Sequence, residues 1–174
     1  MATNGGVSES ESTTVDEAVV GEAAIPITIR VVVVAMAGGL LGTVLMLPVL
    51  VGVPAVFGLF ETEPVTRFAG LAGFFGVEPT LTLGIVLFGL GGTVVLPLVF
   101  LVVGAFLPPE RPRAVRGASL ATIFWFGFVP AFWPSGGAVT VVLYLLFSLL
   151  AHWVYGVTLG SVLDRTIGIP QHDV

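Results

Sequence analysis

Residues 137–163 read GAVTVVLYLLFSLLAHWVYGVTLGSVL, and this stretch decides the class of fold. It is apolar or small over almost its whole length, and His152 is its only side chain that can gain charge near neutral pH. A helix needs about 20 such residues to cross the roughly 30 Å of hydrocarbon in a bilayer. The stretch therefore predicts a transmembrane helix.

Three more apolar runs precede it, over residues 31–52, 81–103 and 117–133. The third is short and has Pro130 near its end, but without it the last helix would run in the wrong direction. The runs are continuous rather than alternating, which favours helices over a membrane β-barrel. The sequence predicts an all-α, polytopic membrane protein with four transmembrane helices.

The composition excludes a soluble globular enzyme. Hydrophobic residues make up 56% of the 174-residue chain and charged residues 10%, whereas a soluble domain carries about 25% charge. Cysteine is absent, which excludes disulfides and thiolate metal sites. No carboxylate falls inside a predicted span, and one histidine cannot build a metal site. We therefore expect no catalytic residues, no bound metal and no nucleic-acid partner.

The remaining segments divide the chain into three parts. Residues 1–29 hold five acidic residues and no basic one, which predicts a disordered acidic tail. The transmembrane domain covers residues 30–165, and residues 166–174 form a short C-terminal tail. Between the first two spans, residues 65–77 read VTRFAGLAGFFGV, too short to cross a membrane and too apolar for water. This segment predicts a short interfacial helix.

The arginines indicate the orientation. With four spans, one side of the membrane carries Arg30, Arg111, Arg113, Arg116 and Arg165, and the other carries only Arg67. Because basic residues stay in the cytoplasm, we expect a multi-pass cell-membrane protein with both termini cytoplasmic. The cluster of Arg111, Arg113 and Arg116 predicts contact with lipid headgroups, with a partner-docking site as the alternative.

Small residues recur at the spacing that lets helices approach closely. Gly38 and Gly42 form one GxxxG pair, and Gly156 and Gly160 form another. Close backbone contact through such residues is a main route to helix association in membranes. Packing within one bundle is favoured over self-association between copies.

Polar side chains lie along one face of the last predicted helix, at successive spacings of 4, 4, 4 and 3 residues. We name this face the polar stripe: Thr140, Tyr144, Ser148, His152 and Tyr155. Such a stripe should face the bundle interior. His152 is either a structural hydrogen-bonding residue, with Tyr155 or Thr43 as partner, or a proton carrier or haem ligand. Ser135 is expected to cap this helix at its N-terminus.

Three blocks carry a family resemblance: MAGGLLGTVLM (36–46), RGASLATIFWFGFVP (116–130) and HWVYGVTLGSVL (152–163). They resemble small four-helix integral membrane proteins of halophilic archaea and some bacteria. The last block is similar to the His-x-x-Tyr-Gly-x-x-x-Gly ending of that family. The family is uncharacterised, so the resemblance implies an architecture and no activity.

Three functions fit these observations. The first is a non-catalytic structural or accessory subunit of a membrane complex, such as a respiratory oxidase. The second is a small transporter or a proton-conducting oligomer lined by the polar stripe. The third is a haem-binding electron-transfer subunit that uses His152 and a second axial ligand from another subunit. The bilayer is the expected partner in all three.

Overall fold

The structure, a computed structural model, describes residues 28–168. All its regular elements are helices, which confirms the all-α class. We name them α1 (Ile29–Val56), α2 (Glu63–Phe68, continued by a 3₁₀ turn over Ala69–Phe75), α3 (Leu81–Phe106), α4 (Arg116–Ala131) and α5 (Ala138–Thr166). A short 3₁₀ turn over Arg113–Val115 precedes α4. Residues 1–27 of the predicted acidic tail, and residues 169–174 of the predicted C-terminal tail, lie outside the described residues.

Three of the helices are long and apolar enough to cross a membrane: α1, α3 and α5. This agrees with a membrane protein. The third predicted span corresponds to α4, which has 16 residues. At about 1.5 Å per residue it is about 24 Å long, shorter than the hydrocarbon core of a typical bilayer. The helix predicted between the first two spans is present as α2, which begins next to Pro64.

Two threonines start the first two long helices. The Thr28 hydroxyl accepts a hydrogen bond from the Val31 amide at the start of α1, and Thr80 does the same for the Leu83 amide in α3. Each satisfies one of the backbone N–H groups that the first turn leaves without an intrahelical partner. Helix α5 begins differently, because its N-cap is Gly137 and provides no side-chain oxygen.

Both α1 and α3 contain a π-helical turn next to a proline. In α1 the turn covers Pro48–Gly52, and in α3 it covers Gly91–Val95, just before Pro97. Proline has no backbone N–H and removes an intrahelical hydrogen bond, so the chain widens locally. These two sites coincide with the similar sequences GTVLMLP and GTVVLP.

Helix α5 is the centre of the bundle. It packs against α1 on one side and α4 on the other, while α3 packs mainly on α1 and α2. The buried core lies along α5 and includes Tyr155, Leu159 and Leu163, with Phe100 of α3 and Leu120 of α4 against them. Helix α3 is the least enclosed: 11% of its most apolar stretch is buried, against 39% for α1.

Candidate functional site

The α4–α5 contact is a direct approach of two backbones. A methyl group added to Gly117 of α4 would overlap the carbonyl of Gly156, and one added to Gly156 would overlap the carbonyl of Gly117. The next turn repeats the arrangement, where Gly160 faces the Ala114 carbonyl. The Gly156–Gly160 pair therefore lies at a contact within the chain.

The other glycine pair lies at the α1–α5 contact. A Cβ atom on Gly42 would come within 2.9 Å of the Tyr155 ring, and one on Gly38 within 3.2 Å of Val162. Gly42 has no room for a side chain unless α5 shifts, and at Gly38 the side chains of Val162 and Leu159 would have to give way. The two GxxxG pairs thus allow α1 and α4 to approach α5 from different sides.

Two residues of the polar stripe, Tyr144 and Ser148, are hydrogen-bonded to α4. The Tyr144 hydroxyl donates a 3.0 Å hydrogen bond to the Val129 carbonyl, in the last turn of α4. The Trp125 indole N–H donates to the Ser148 hydroxyl oxygen at 2.9 Å, and that hydroxyl donates to the Leu145 carbonyl within its own helix. Thr140 lies at the start of the stripe, beside the loop.

His152 is bonded within its own helix. Its Nδ1 lies 2.7 Å from the Ser148 carbonyl oxygen, and the side of its ring contacts Phe128 at 4.7 Å between centroids. A carbonyl only accepts, so Nδ1 carries a proton, and in the neutral imidazole Nε2 then carries none. The predicted partners of His152 were wrong: Tyr155 and Thr43 bond the carbonyls of Gly92 and Gly39. Among residues 28–168, no three potential ligands from His, Asp or Glu side chains come together as a metal site.

Tyr155 connects the stripe to α3. Its hydroxyl donates a 2.6 Å hydrogen bond to the carbonyl of Gly92, inside the π-helical turn. The Leu96 N–H already bonds the Gly91 carbonyl, and Pro97 has no N–H to offer Gly92. The tyrosine therefore supplies a donor that the helix itself lacks, in a region where unsatisfied carbonyls are costly.

A cavity of about 460 Å³ lies where four helices diverge at the end of the bundle near α2. Apolar side chains from α1, α3, α4 and α5, together with those of α2 and the neighbouring loops, form most of its wall. The polar residues on the wall are Thr140, Tyr144 and Ser148 of the stripe, together with Glu61 and Thr62 of the α1–α2 loop. Three of the five stripe residues thus line a largely apolar space.

Glu61 connects the α1–α2 loop to the α4–α5 loop at this end of the bundle. Its carboxylate accepts hydrogen bonds from the Ser135 hydroxyl at 2.7 Å and the Ser135 amide at 3.1 Å. These bonds and the nearby Arg67 charge hold the pKa of the Glu61 carboxyl below its ordinary value. Arg67 adds a second connection by donating to the Trp133 carbonyl at 3.0 Å. The expectation that Ser135 caps α5 was wrong, because Ser135 joins two loops and Gly137 is the cap.

The arginine cluster is divided between two environments. Arg111 is exposed, as a lipid-headgroup contact requires. Arg116 is 4% exposed, and its guanidinium donates to the carbonyls of Ala105 and Pro109. It joins the end of α3 to the start of α4, so the geometry differs from the predicted headgroup contact. The side chain of Arg113 lies outside the described part of the chain.

Residues 29–174 match the model of a protein family described as a family of unknown function (DUF6789). The chain belongs to this family. The match begins at the first residue of α1 and covers all five helices, so the helical bundle is the part that defines DUF6789 membership. A search of curated proteins and a search of solved structures found no match.

Sequence reasoning missed three residues that matter in this DUF6789 bundle. Trp125 bonds the stripe, Glu61 joins the loops, and Gly92 accepts from Tyr155. All three partners are more than 20 positions away along the chain. The sequence carried a partial signal for Gly92 alone, because Pro97 leaves a carbonyl about one turn earlier without an intrahelical donor. In a regular α-helix that carbonyl belongs to Thr93, and the π-helical turn makes it that of Gly92.

Proposed function

We propose that the protein crosses the cell membrane four times, with both termini in the cytoplasm. Helix α4 supports this topology because it runs beside α5 from Gly117, which contacts Gly156, to Val129, which is bonded to Tyr144. Helix α4 thus runs beside α5 over nearly the whole length of α4, which has 16 residues. The arginine distribution, five against one, supports the orientation.

The interfacial position of α2 belongs to the same proposal. Leu71, Phe74 and Phe75 project from its 3₁₀ end and are exposed, with Phe74 at 90%. Aromatic and aliphatic side chains in such a position are stabilised by insertion at the headgroup boundary. Trp133, exposed at the same end of the bundle, matches the aromatic residues found at membrane interfaces.

Within this topology we propose that the chain is a non-catalytic accessory subunit of a membrane complex. The main observation behind this proposal is the exposure of α3. Only 11% of its most apolar stretch is buried in the bundle. Because α3 packs mainly against α1 and α2, its outer face is available for contact with another membrane protein. The hydrogen bonds of the stripe support a structural role, because Tyr144, Ser148 and Tyr155 join α5 to α4 and α3.

A pair of matched photo-crosslinking positions tests this role. Val95 of α3 and Val44 of α1 lie in the middle of their helices and are 52% and 54% exposed. A crosslinking amino acid at Val95 should give a protein adduct of one defined mass in native membranes, whereas the same residue at Val44 should give lipid adducts. Lipid adducts alone at both positions would contradict an accessory role through α3.

Haem binding through His152 is a second candidate, and one observation favours it. With its proton on Nδ1 and donated to Ser148, the imidazole presents the unprotonated Nε2 that a haem iron requires. The absorbance spectrum of protein purified from native membranes tests it. A Soret band that is lost in His152→Gln supports haem binding, and the lack of such a band in the native protein rejects it.

A further inference from the structure

The cavity between α1, α3, α4 and α5 has the size and lining of a binding site. Its volume of about 460 Å³ falls in the range of about 300–1,000 Å³ that small-molecule sites occupy. A buried water needs two to four polar partners, and the leucine, valine and phenylalanine side chains that make up most of the wall do not offer them. The greater part of such a space therefore suits an apolar occupant.

The polar groups on the wall share one property: they can accept a hydrogen bond. Tyr144 already donates its proton to Val129, and Ser148 donates its proton to Leu145, so both oxygens retain only lone pairs. Glu61 is a carboxylate, which also only accepts. These three groups can bond only a molecule that brings a hydrogen-bond donor, whereas the hydroxyls of Thr62 and Thr140 can also donate. A hydroxyl group can pair with both kinds.

The charge at the loop end of the cavity restricts the molecule further. Glu61 carries a negative charge there, while Arg67 is bonded to Glu63 at 3.3 Å and to the Trp133 carbonyl. A carboxylate or phosphate headgroup would face Glu61 at short range without a free cation beside it on the cavity wall. This disfavours fatty acids and phospholipids.

We propose that the cavity binds a membrane-soluble long-chain alcohol, with its chain among the apolar side chains and its hydroxyl donating to the acceptors of the wall. The site is independent of the proposed accessory role. It needs no partner chain and would exist in the isolated protein.

Three photoactivatable probes with the same 16-carbon chain test this proposal on the purified full-length protein. They differ only at the polar end, which is a primary alcohol, its methyl ether or a carboxylic acid. The alcohol should label cavity-lining peptides several-fold more than the ether, which lacks the donor, and more than the acid, which carries the charge. Equal labelling by all three, or labelling spread over the outer faces of the helices, would overturn the proposal.

Matched variants on neighbouring positions locate the site. Leu143 lines the cavity, and Val142 beside it is exposed on the outside of α5. Leu143→Trp should fill the space and reduce alcohol labelling several-fold, and Val142→Trp should leave it unchanged. If Leu143→Trp does not fold, the peptide map of the wild-type protein decides alone. Equal labelling of two folded variants would contradict the location.

A third variant tests the charge argument. Glu61→Gln keeps a hydrogen-bonding side chain beside Ser135 and removes the negative charge. Labelling by the acid probe should rise toward that by the alcohol. An unchanged ratio of acid to alcohol labelling would show that Glu61 does not select the ligand and would overturn this part of the proposal.

Discussion

The hydroxyl of Tyr155 lies 2.6 Å from the carbonyl oxygen of Gly92, which is 63 positions earlier in the chain. The bond compensates for a defect in α3, because Leu96 donates to Gly91 and Pro97 has nothing to donate. A proline in one membrane helix is thus matched by a tyrosine in another. Tyr155, a member of the polar stripe, therefore has a structural role: it supplies the hydrogen-bond donor that α3 lacks at Gly92.

Tyr155→Phe should lower the stability of the bundle by about 1–3 kcal/mol, the cost of leaving a buried acceptor unsatisfied. Denaturation in mild detergent measures it. Thr166→Val is the control, because the Thr166 hydroxyl bonds Val162 in its own helix at the exposed end of α5, and it should change little.

A double-mutant cycle tests the cause of this cost. Pro97→Ala restores a backbone N–H that can reach Gly92, so Tyr155→Phe should cost less in that background than in the wild type. Equal costs in both backgrounds would show that the tyrosine does not replace the donor that proline lacks.

Two glycines of α4 should respond oppositely to the same substitution. Gly117→Ala places a methyl group onto the Gly156 carbonyl and should destabilise the protein by about 1–3 kcal/mol or more. Nothing lies within 4 Å of a Cβ at Gly127, where alanine should stabilise the helix by about 0.5–1 kcal/mol. Similar thermal melts for the two variants would refute the α4–α5 contact.

The arginine cluster should separate into two functions. Arg116→Leu removes the donors to Ala105 and Pro109 and should cost about 1.5–3 kcal/mol of stability. Arg111→Leu should leave the melt unchanged and reduce binding to vesicles that contain anionic lipid. If Arg116→Leu affects vesicle binding and not stability, the guanidinium faces the headgroups and our placement is wrong.

The Glu61–Ser135 connection should make stability depend on pH in acid. The folded protein holds the Glu61 pKa below its ordinary value, so it gains stability when the carboxyl is ionised. This gain is complete above the ordinary pKa and disappears as the pH falls through the lowered pKa. The melting temperature should therefore exceed that of Glu61→Gln at neutral pH, and the difference should shrink in acid.

Glu63→Gln provides the control for this pH effect. Within residues 28–168, Glu63 pairs only with Arg67 on its own helix, through an exposed contact that contributes little. Its pH profile should follow that of the wild type. A constant difference between wild type and Glu61→Gln at every pH would contradict the hydrogen-bonded carboxylate.

The long apolar helices and the helical face of the stripe could be predicted because local hydrophobicity and helical spacing determine them. The bounds of α5 differ from the prediction by one residue at the start and three at the end. The length of α4 and the π-helical turns depend on where prolines meet neighbouring helices.

The partners of the stripe could not be predicted for the same reason. His152 bonds the carbonyl one turn away, and Ser135 bonds a loop 74 positions earlier. Neither residue type specifies its partner, since a hydroxyl or imidazole bonds whichever group packing brings near. The sequence predicted that the stripe faces the interior and that Ser135 begins a helix, and the fold selects which groups they bond there.

The side of the membrane on which residues 10 and 171 lie tests the four-span topology most directly. The chain has no cysteine, so Ser10→Cys, Gln171→Cys and Glu78→Cys each introduce a single reactive thiol. With α4 as a fourth span, an impermeant thiol reagent on intact cells should modify the cysteine at 78 and neither of the other two, and cell lysis should expose both. Modification of the cysteine at 171 in intact cells, with that at 10 protected, would mean an odd number of crossings and would contradict the account.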